Sequence, residues 1–266
     1  MIIVMVHNAY KELGGEDLFF ERESHALEES GHTVHRYLED NSAITPATRI
    51  LAGFSAIWSQ RSYRRIRRLI RETRCDVVHC HNTFPLVSPS VYYAAKSAGV
   101  PVVQTLHNYR LLCPGALLFR DRNVREECIG SAVAWRAVAR GCYRQSRLSS
   151  ASVAAMLAVH RALGTWDKMI DLYIADSSFC RDKYVQAGFA PERIAVKPGF
   201  VYPDPGPRDH RGGYCLFVGR LSEEKGIDVL FRAWRKLGPS IPLKVVGDGP
   251  LSPLVAAAVR EMPWIE

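Results

Sequence analysis

The chain has 266 residues, 47% of them apolar, enough for one large domain or two smaller ones with real cores, and unlike a disordered tail. Its net charge of +8 favours an anionic partner (nucleotide, phosphate, nucleic acid or acidic lipid) without choosing among them. Seven scattered cysteines, an odd number, argue against a disulfide framework and for reduced thiols in a cytoplasmic compartment.

The N-terminus, MIIVMVHNAY, lacks a basic n-region and has too short an apolar run for a signal segment, so it reads as a buried strand. No run approaches the roughly 18 apolar residues of a membrane span; the nearest is ASVAAMLAV at 151–159. Strand-like runs at 2–6, 33–38, 76–80, 101–107 and 172–176 alternate with helical patterns, which predicts a parallel α/β sheet. A helix is expected from about Glu16 to Ser30, stopped by Gly31. Strand, glycine turn, helix, strand is one mononucleotide-binding half.

Thr45 and Pro46 suit an N-cap and first helical position, and one helical pattern then runs to about Thr73. Its later part, RSYRRIRRLIRETR, carries seven arginines, with Ile66, Leu69 and Ile70 as the core-facing stripe. Residues 108–143 read as an excursion with a helical stretch near AVAWRAVAR, and SRLSSASVAAMLAVHRALG as a long, mostly buried helix. The segment 197–213 holds four prolines and four glycines, a linker composition. A second α/β pattern follows: strands at 214–219 and 241–247, helices near 225–237 and 251–260, and the first residues of a third strand. That is about half of a doubly wound domain.

In FVGRLSEEKGIDVL (217–230) a strand end and a helix start bring free N–H groups to an edge where anions bind. Arg220 and Lys225 there could neutralise a diphosphate, or pair with Glu223, Glu224 or Asp228 on a solvated turn. Gly14 and Gly15 fit a loop whose backbone approaches a ligand, or a plain tight turn with Glu16 and Asp17 facing the helix dipole. His107 ends a strand at the carboxyl rim, where α/β ligands bind and where structural histidines are also common. His79 and His81 lie on one face of a strand, but no third metal ligand is evident at a suitable spacing, so packing under the rim is expected, with Asn82 beside them. No G-x-G-x-x-G follows the first strand and no ribose-binding acid is placed after it, which disfavours a Rossmann oxidoreductase.

FVGRLSEEKGIDVL followed by VVGDGPL (245–251) resembles the donor-binding half of retaining glycosyltransferases of family 4, which have the two-domain GT-B fold. HNAYKELGGEDLFFERESHALEESGHTV, DVVHCHNTFPLVSPSV, PVVQTLHNYRLLCPG and CYRQSRLSSASVAAM extend the resemblance over nearly the whole chain, in the family's order. It implies an acceptor-side Rossmann-like domain over 1–200, a linker at 201–212, and a partial donor-binding domain at 213–266. The implied activity is sugar transfer, with retention, from a nucleoside-diphosphate sugar to a glycan or lipid-linked acceptor in polysaccharide biosynthesis.

By resemblance His107 faces the transferred sugar, and Arg220, Lys225, Gly14 and Gly15 hold the donor diphosphate. Glu16, Asp17, Asn82, Gly247, Asp248 and Gly249 are expected donor or acceptor contacts. No cofactor and no obligatory metal are implied. The family's acidic donor-binding motif lies beyond Glu266, so the alternative is a non-catalytic fragment that binds an acceptor, or a partner chain supplying the missing half-domain. The family has asparagine where Gly199 stands, and a cysteine pair near Cys128 where this chain has Arg125, which disfavours a four-cysteine zinc site with Cys113 and Cys142. The chain is expected in the cytoplasm, with Arg61, Arg64, Arg65, Arg67, Arg68 and Arg71 either solvated or on the anionic inner face of a membrane. The scarcity of stacking aromatics disfavours nucleic acid.

Overall fold

The computed structural model describes all residues except 12–13, 46–47 and 208–211, and the side chains of 49 and 50. In chain order the elements are β1 (Ile2–Ala9), α1 (Gly15–Glu29), β2 (Thr33–Asp40), α2 (Arg49–Ile57), α3 (Gln60–Thr73), β3 (Val77–Asn82), α4 (Ser90–Lys96) and β4 (Val102–Leu106). Two-residue strands β5 (Phe119–Arg120) and β6 (Asn123–Val124) precede α5 (Trp135–Ala139), α6 (Arg147–Ala162), α7 (Thr165–Lys168), β7 (Leu172–Ala175), α8 (Ser178–Gln186) and β8 (Ile194–Val196). The last are β9 (Cys215–Val218), α9 (Ile227–Leu237), β10 (Leu243–Val246) and α10 (Ser252–Glu261). The chain divides into two compact units, Met1–Arg120 with Arg125–Pro205, and Asp121–Val124 with Gly206–Glu266.

The first unit is built on a six-stranded sheet in the order β2-β1-β3-β4-β7-β8, all parallel. β1 is an interior strand buried on both faces, which explains its unbroken apolar run. Ile3 and Met5 meet Phe20 of α1 on one face, while Val4 and Val6 join Ile66 and Ile70 of α3, Val91 and Tyr92 of α4, and Met156 of α6 on the other. Between β1 and β3 the strand order reverses, and at such a switch point the carboxyl ends of the strands leave a crevice for ligands.

The single helix expected up to Thr73 is two helices. Trp58 is extended (φ −148°, ψ 122°), and the Ser59 side chain accepts from the backbone N–H of Ser62, capping α3. Pro46, its expected start, lies outside the described residues, as does part of the expected 201–212 linker. α6 buries one face only, since Leu148 and Val159 are exposed. β8, α4 and α8 lack a clear sequence signal, being only 3, 7 and 9 residues long. Among the described residues no helix is long and apolar enough to cross a membrane.

In the second unit β9 and β10 pair in parallel, and Ile265 bridges to Leu243 as a third strand begins. Ile227, Leu230, Phe231 and Trp234 of α9 form an i, i+3, i+4, i+7 stripe packed with Leu221, Leu243, Ala258, Met262 and Ile265. Leu216, Val218 and Val246 of the two strands are exposed.

Candidate functional site

Five strand ends of the first sheet bring polar side chains to one carboxyl rim: His7 and Asn8 on β1, His81 and Asn82 on β3, His107 and Asn108 after β4, Asp176 after β7 and Lys197 after β8. The loop after β1 is tied to this rim by Asp17. Its buried carboxylate accepts from His7 Nε2 at 2.8 Å and from the backbone N–H groups of Tyr10 at 3.1 Å and Gly14 at 2.7 Å. Asp17 therefore shapes the glycine loop from within. Glu16, one residue earlier on α1, accepts from Tyr10 Oη at 2.9 Å and from Asn108 Nδ2 at 2.8 Å. Burial, with Glu16 alongside, pushes the Tyr10 hydroxyl far above its ordinary pKa, so it stays a donor. Gly14 caps α1 with extended backbone, and a Cβ on Gly15 would meet nothing within 4 Å among the described residues.

The amide of Asn82 is spent inside the fold: Nδ2 donates to Asn8 O at 2.8 Å, and Oδ1 accepts from Phe84 N at 3.0 Å. His107 is partly buried and contacts Phe19 edge-on, at 5.2 Å between ring centroids. Burial holds its imidazole below the ordinary histidine pKa, with Glu16 opposing. Arg110 lies over Phe84 and Tyr143 at 4.9 and 4.8 Å, on the wall of a cleft shared with His107 and Asn108 that holds about 480 Å³ of empty space including its mouth.

Beneath the rim sits a buried cluster that sequence spacing did not reveal. His79 and His81 lie 4.4 Å apart between centroids, and Glu23 of α1 approaches both. Each of the three offers one ligand atom within 4.8 Å of the others, so a third metal-type group does exist. Three contacts count against a cation there: the Lys197 ammonium binds Glu23, His79 Nε2 bonds Thr105 Oγ1 at 2.8 Å, and His81 Nδ1 bonds His107 Nε2 at 3.0 Å. Burial depresses the His79 imidazole to about 3 and His81 well below its usual range, while it raises the Glu23 carboxyl against the pull of Lys197. The detectable signal lay in α1, where Asp17, Glu23 and Ser24 are buried beside Phe20: two acids and a hydroxyl on the buried stripe of a helix. His7, Arg110 and Lys197 carried no such mark.

In the second unit, Arg220 and Lys225 are both exposed, at the end of β9 and just ahead of α9. Among the described residues neither pairs with an acid: Glu224 accepts from Ser222 Oγ at 2.5 Å, and Asp228 pairs with Arg122 and faces Arg232 of α9 at 3.8 Å. The two glycines of GDG are dictated by a backbone crossing. Gly247 (φ +149°) and Gly249 (φ +156°) run against residues 219–221, where a Cβ would come within 1.9 Å of Gly219 O and 2.5 Å of Leu221 O respectively. Leu221 N donates to Asp248 O at 2.8 Å, joining the two loops, while the exposed Asp248 carboxylate accepts from Gly249 N and Ser252 Oγ.

Cys113, Cys128 and Cys142 line one pocket with Arg125. Cys113 and Cys128 are buried; the hydrogen bond from Cys128 and nearby backbone N–H groups lower the Cys113 thiol's pKa.

Residues 14–204 match the model of Glycosyltransferase Family 4. An uncharacterized 42.6 kDa protein in the cps region of Klebsiella pneumoniae is 25% identical over 189 residues, 69% of this chain and 43% of that protein. The chain thus spans less than half the length of that relative. Among solved structures, Anabaena Alr3699/HepE in complex with UDP-glucose has a TM-score of 0.54 at 16% identity, covering 100% of this chain and 68% of that one. The lipopolysaccharide outer core galactosyltransferase WaaB in its apo form has a TM-score of 0.52 at 16% identity, with 100% and 67% covered. At these identities the likeness is one of fold.

Proposed function

Because the chain belongs to glycosyltransferase family 4, we propose that it takes part in transferring a sugar, with retention of configuration, from a nucleoside-diphosphate sugar to a glycan or lipid-linked hydroxyl. The observation that carries this is the family match over residues 14–204, which runs from the glycine loop to Lys197. Residues 1–200 would be the acceptor side, 201–212 the linker and 213–266 part of the donor side. His107 would face the transferred sugar, where a polar group stabilises charge as the anomeric centre becomes oxocarbenium-like. Arg220 and Lys225, unpaired with acids among the described residues, would take the diphosphate, each charge-assisted bond contributing roughly 1.5–3 kcal/mol. No metal is required in this scheme. The bare face of Leu216, Val218 and Val246 favours a second reading, a non-catalytic chain that binds an acceptor or a partner completing the donor side.

The proposal extends to contact with an anionic membrane surface. Leu51, Phe54 and Trp58 are exposed at i, i+3 and i+7 along α2 and its end, and the next helix in the chain, α3, carries exposed arginines. Arg61 and Arg65 share Glu39, and Arg68 pairs with Glu72, while Arg64, Arg67 and Arg71 are exposed to solvent.

Titration calorimetry of this chain against nucleoside diphosphates and nucleotide sugars is the test. UDP comes first, because HepE is solved with UDP and UDP-glucose. Saturable binding weakened about tenfold by Lys225→Ala is expected, the loss of one charge-assisted contact. Binding that ignores Lys225 would remove the diphosphate assignment; no saturable binding by any nucleotide would favour the second reading.

A further inference from the structure

His81 is fully buried and stands between two groups. Its Nδ1 is 3.0 Å from His107 Nε2, and its Nε2 is 3.2 Å from Glu23 Oε2, an ion-pair distance not yet aligned as a hydrogen bond. Among the described residues neither Glu23 Oε2 nor His81 Nε2 has another hydrogen-bond partner. The His81 and His107 rings are tilted by only 25° with centroids 5.2 Å apart, which fits an edge-to-edge N···N hydrogen bond between nearly coplanar rings. The other oxygen of Glu23 is taken by the Lys197 ammonium. An ammonium only donates and an ionised carboxylate only accepts, whereas a neutral imidazole must donate through one nitrogen and accept through the other. The direction of every hydrogen bond along the row is therefore set from the Lys197 end.

We propose that Lys197, Glu23 and His81 form a buried relay that fixes the tautomer of His107, leaving its hydrogen on Nε2 and a bare lone pair on Nδ1 for a hydroxyl of the bound sugar. Glu23 accepts from His81 Nε2–H, His81 Nδ1 accepts from His107 Nε2–H, and His107 Nδ1 is left as the acceptor. If the site places positive charge on His107, the same row carries its stabilisation to the Glu23 carboxylate. Glu23 and His81 act as positioning residues, through His107. The assignment of the lone pair to a sugar rests on the function proposed above; the tautomer does not.

Long-range ¹H–¹⁵N correlation spectra of the full chain with ¹⁵N-labelled histidine read each ring nitrogen directly, with His107→Asn and His81→Asn supplying assignments. The parent chain should show His107 and His81 both protonated at Nε2 and bare at Nδ1. Glu23→Gln keeps the shape but can both donate and accept; it should mix the two tautomers and lower the pH at which His107 titrates by about 1, since a carboxylate's support is withdrawn. Glu16, Asp176, His7 and Lys197, which also act on His107, remain in that variant. A proton on His107 Nδ1 in the neutral parent would overturn the relay, as would an unchanged His107 titration in Glu23→Gln, or a stoichiometric metal ion that Glu23→Gln releases. If Glu23→Gln does not fold, the parent spectrum alone decides. These readouts need no transfer activity, so failure to bind any nucleotide sugar would sink the proposed function and leave the relay standing.

Discussion

Asp17 shows how one buried carboxylate can shape a loop from within. Its two oxygens receive three donors, His7 Nε2, Tyr10 N and Gly14 N, all on the segment that leads from β1 into α1. Asparagine has the same size but must turn an NH₂ toward one of those donors. In one amide orientation it faces Gly14 N–H; in the other it faces His7 and Tyr10. Asp17→Asn should therefore lower stability by about 1–3 kcal/mol, the usual effect of a buried donor left unpaired, read as a shift in the denaturant midpoint without a change in slope. A midpoint within error of the parent would mean that the loop is held by something other than this carboxylate. Glu16, one residue earlier, is partly exposed and reaches Asn108 instead, so neighbours in sequence divide into a loop clamp and a rim group.

At the scale of elements, the GDG turn is the firmest constraint in the second unit. A methyl group at Gly247 would overlap the Gly219 carbonyl, which is backbone and cannot rotate away, and the φ of +149° is itself unfavourable for alanine. Gly247→Ala should destabilise the second unit by at least about 2 kcal/mol, seen as faster amide exchange in β9 and β10. Gly15→Ala, with open space around its Cβ among the described residues, should leave stability unchanged or raise it by up to about 1 kcal/mol; equal losses in the two variants would refute the crossing argument. The alternation of strands and helices was legible because period and turn residues are local signals. The break at Trp58–Ser59 was not, since the apolar pattern continues through it and only the Ser59 cap marks it. The glycines of GDG stood out in sequence as ligand residues, yet their immediate cause is a backbone contact 28 residues away, Gly247 on Gly219 and Gly249 on Leu221, which no local pattern encodes. The exposed ridge on α2 was equally hidden, because Leu51 and Phe54 look like core until α2 is seen to pack on α6, with Gly53 against Ser152, and to bury Ala52 and Ala56 instead. Phe54→Ser with Leu51→Ser should leave stability within about 0.5 kcal/mol, as expected for exposed sites, and weaken sedimentation with phosphatidylglycerol vesicles. Vesicle binding unchanged by the pair would leave the arginines of α3 as the whole of any lipid contact.

Over the whole first unit, the rim polar groups rest on a layer of histidines that folding keeps neutral. The strand ends could be named from sequence, but their convergence depends on the order β2-β1-β3-β4-β7-β8, which sets Glu23 of α1 under His79 and His81 of β3. That layer makes stability depend on pH with a definite sign. Burial holds His79 at about 3, His81 well below the ordinary value of 6.5, and His107 below it. In the unfolded chain these rings take up protons below pH 6.5, so there the unfolded state binds more protons and stability falls as the pH falls. Their contribution is complete above pH 6.5 and is lost between 6.5 and, for His79, about 3. The slope should approach about 1.4 kcal/mol per pH unit for each histidine that stays neutral. Glu23 works in the opposite sense, because its raised carboxyl binds a proton more readily in the folded state, but only near and above the ordinary glutamate value. Three lowered histidines act against this one carboxyl, so the net decline from pH 6.5 to 5 is the histidines', ahead of the loss of paired carboxylates such as Asp171 at lower pH. Denaturant unfolding at pH 7.5, 6.5, 5.5 and 5, with amide exchange in β1 and β3 to isolate this unit, should give a stability that is flat above 6.5 and declines below it. His79→Gln should flatten the decline by about one histidine's share; a parent chain equally stable at pH 7.5 and 5 would show that the buried rings are protonated in the folded state or are solvated far more than their burial implies.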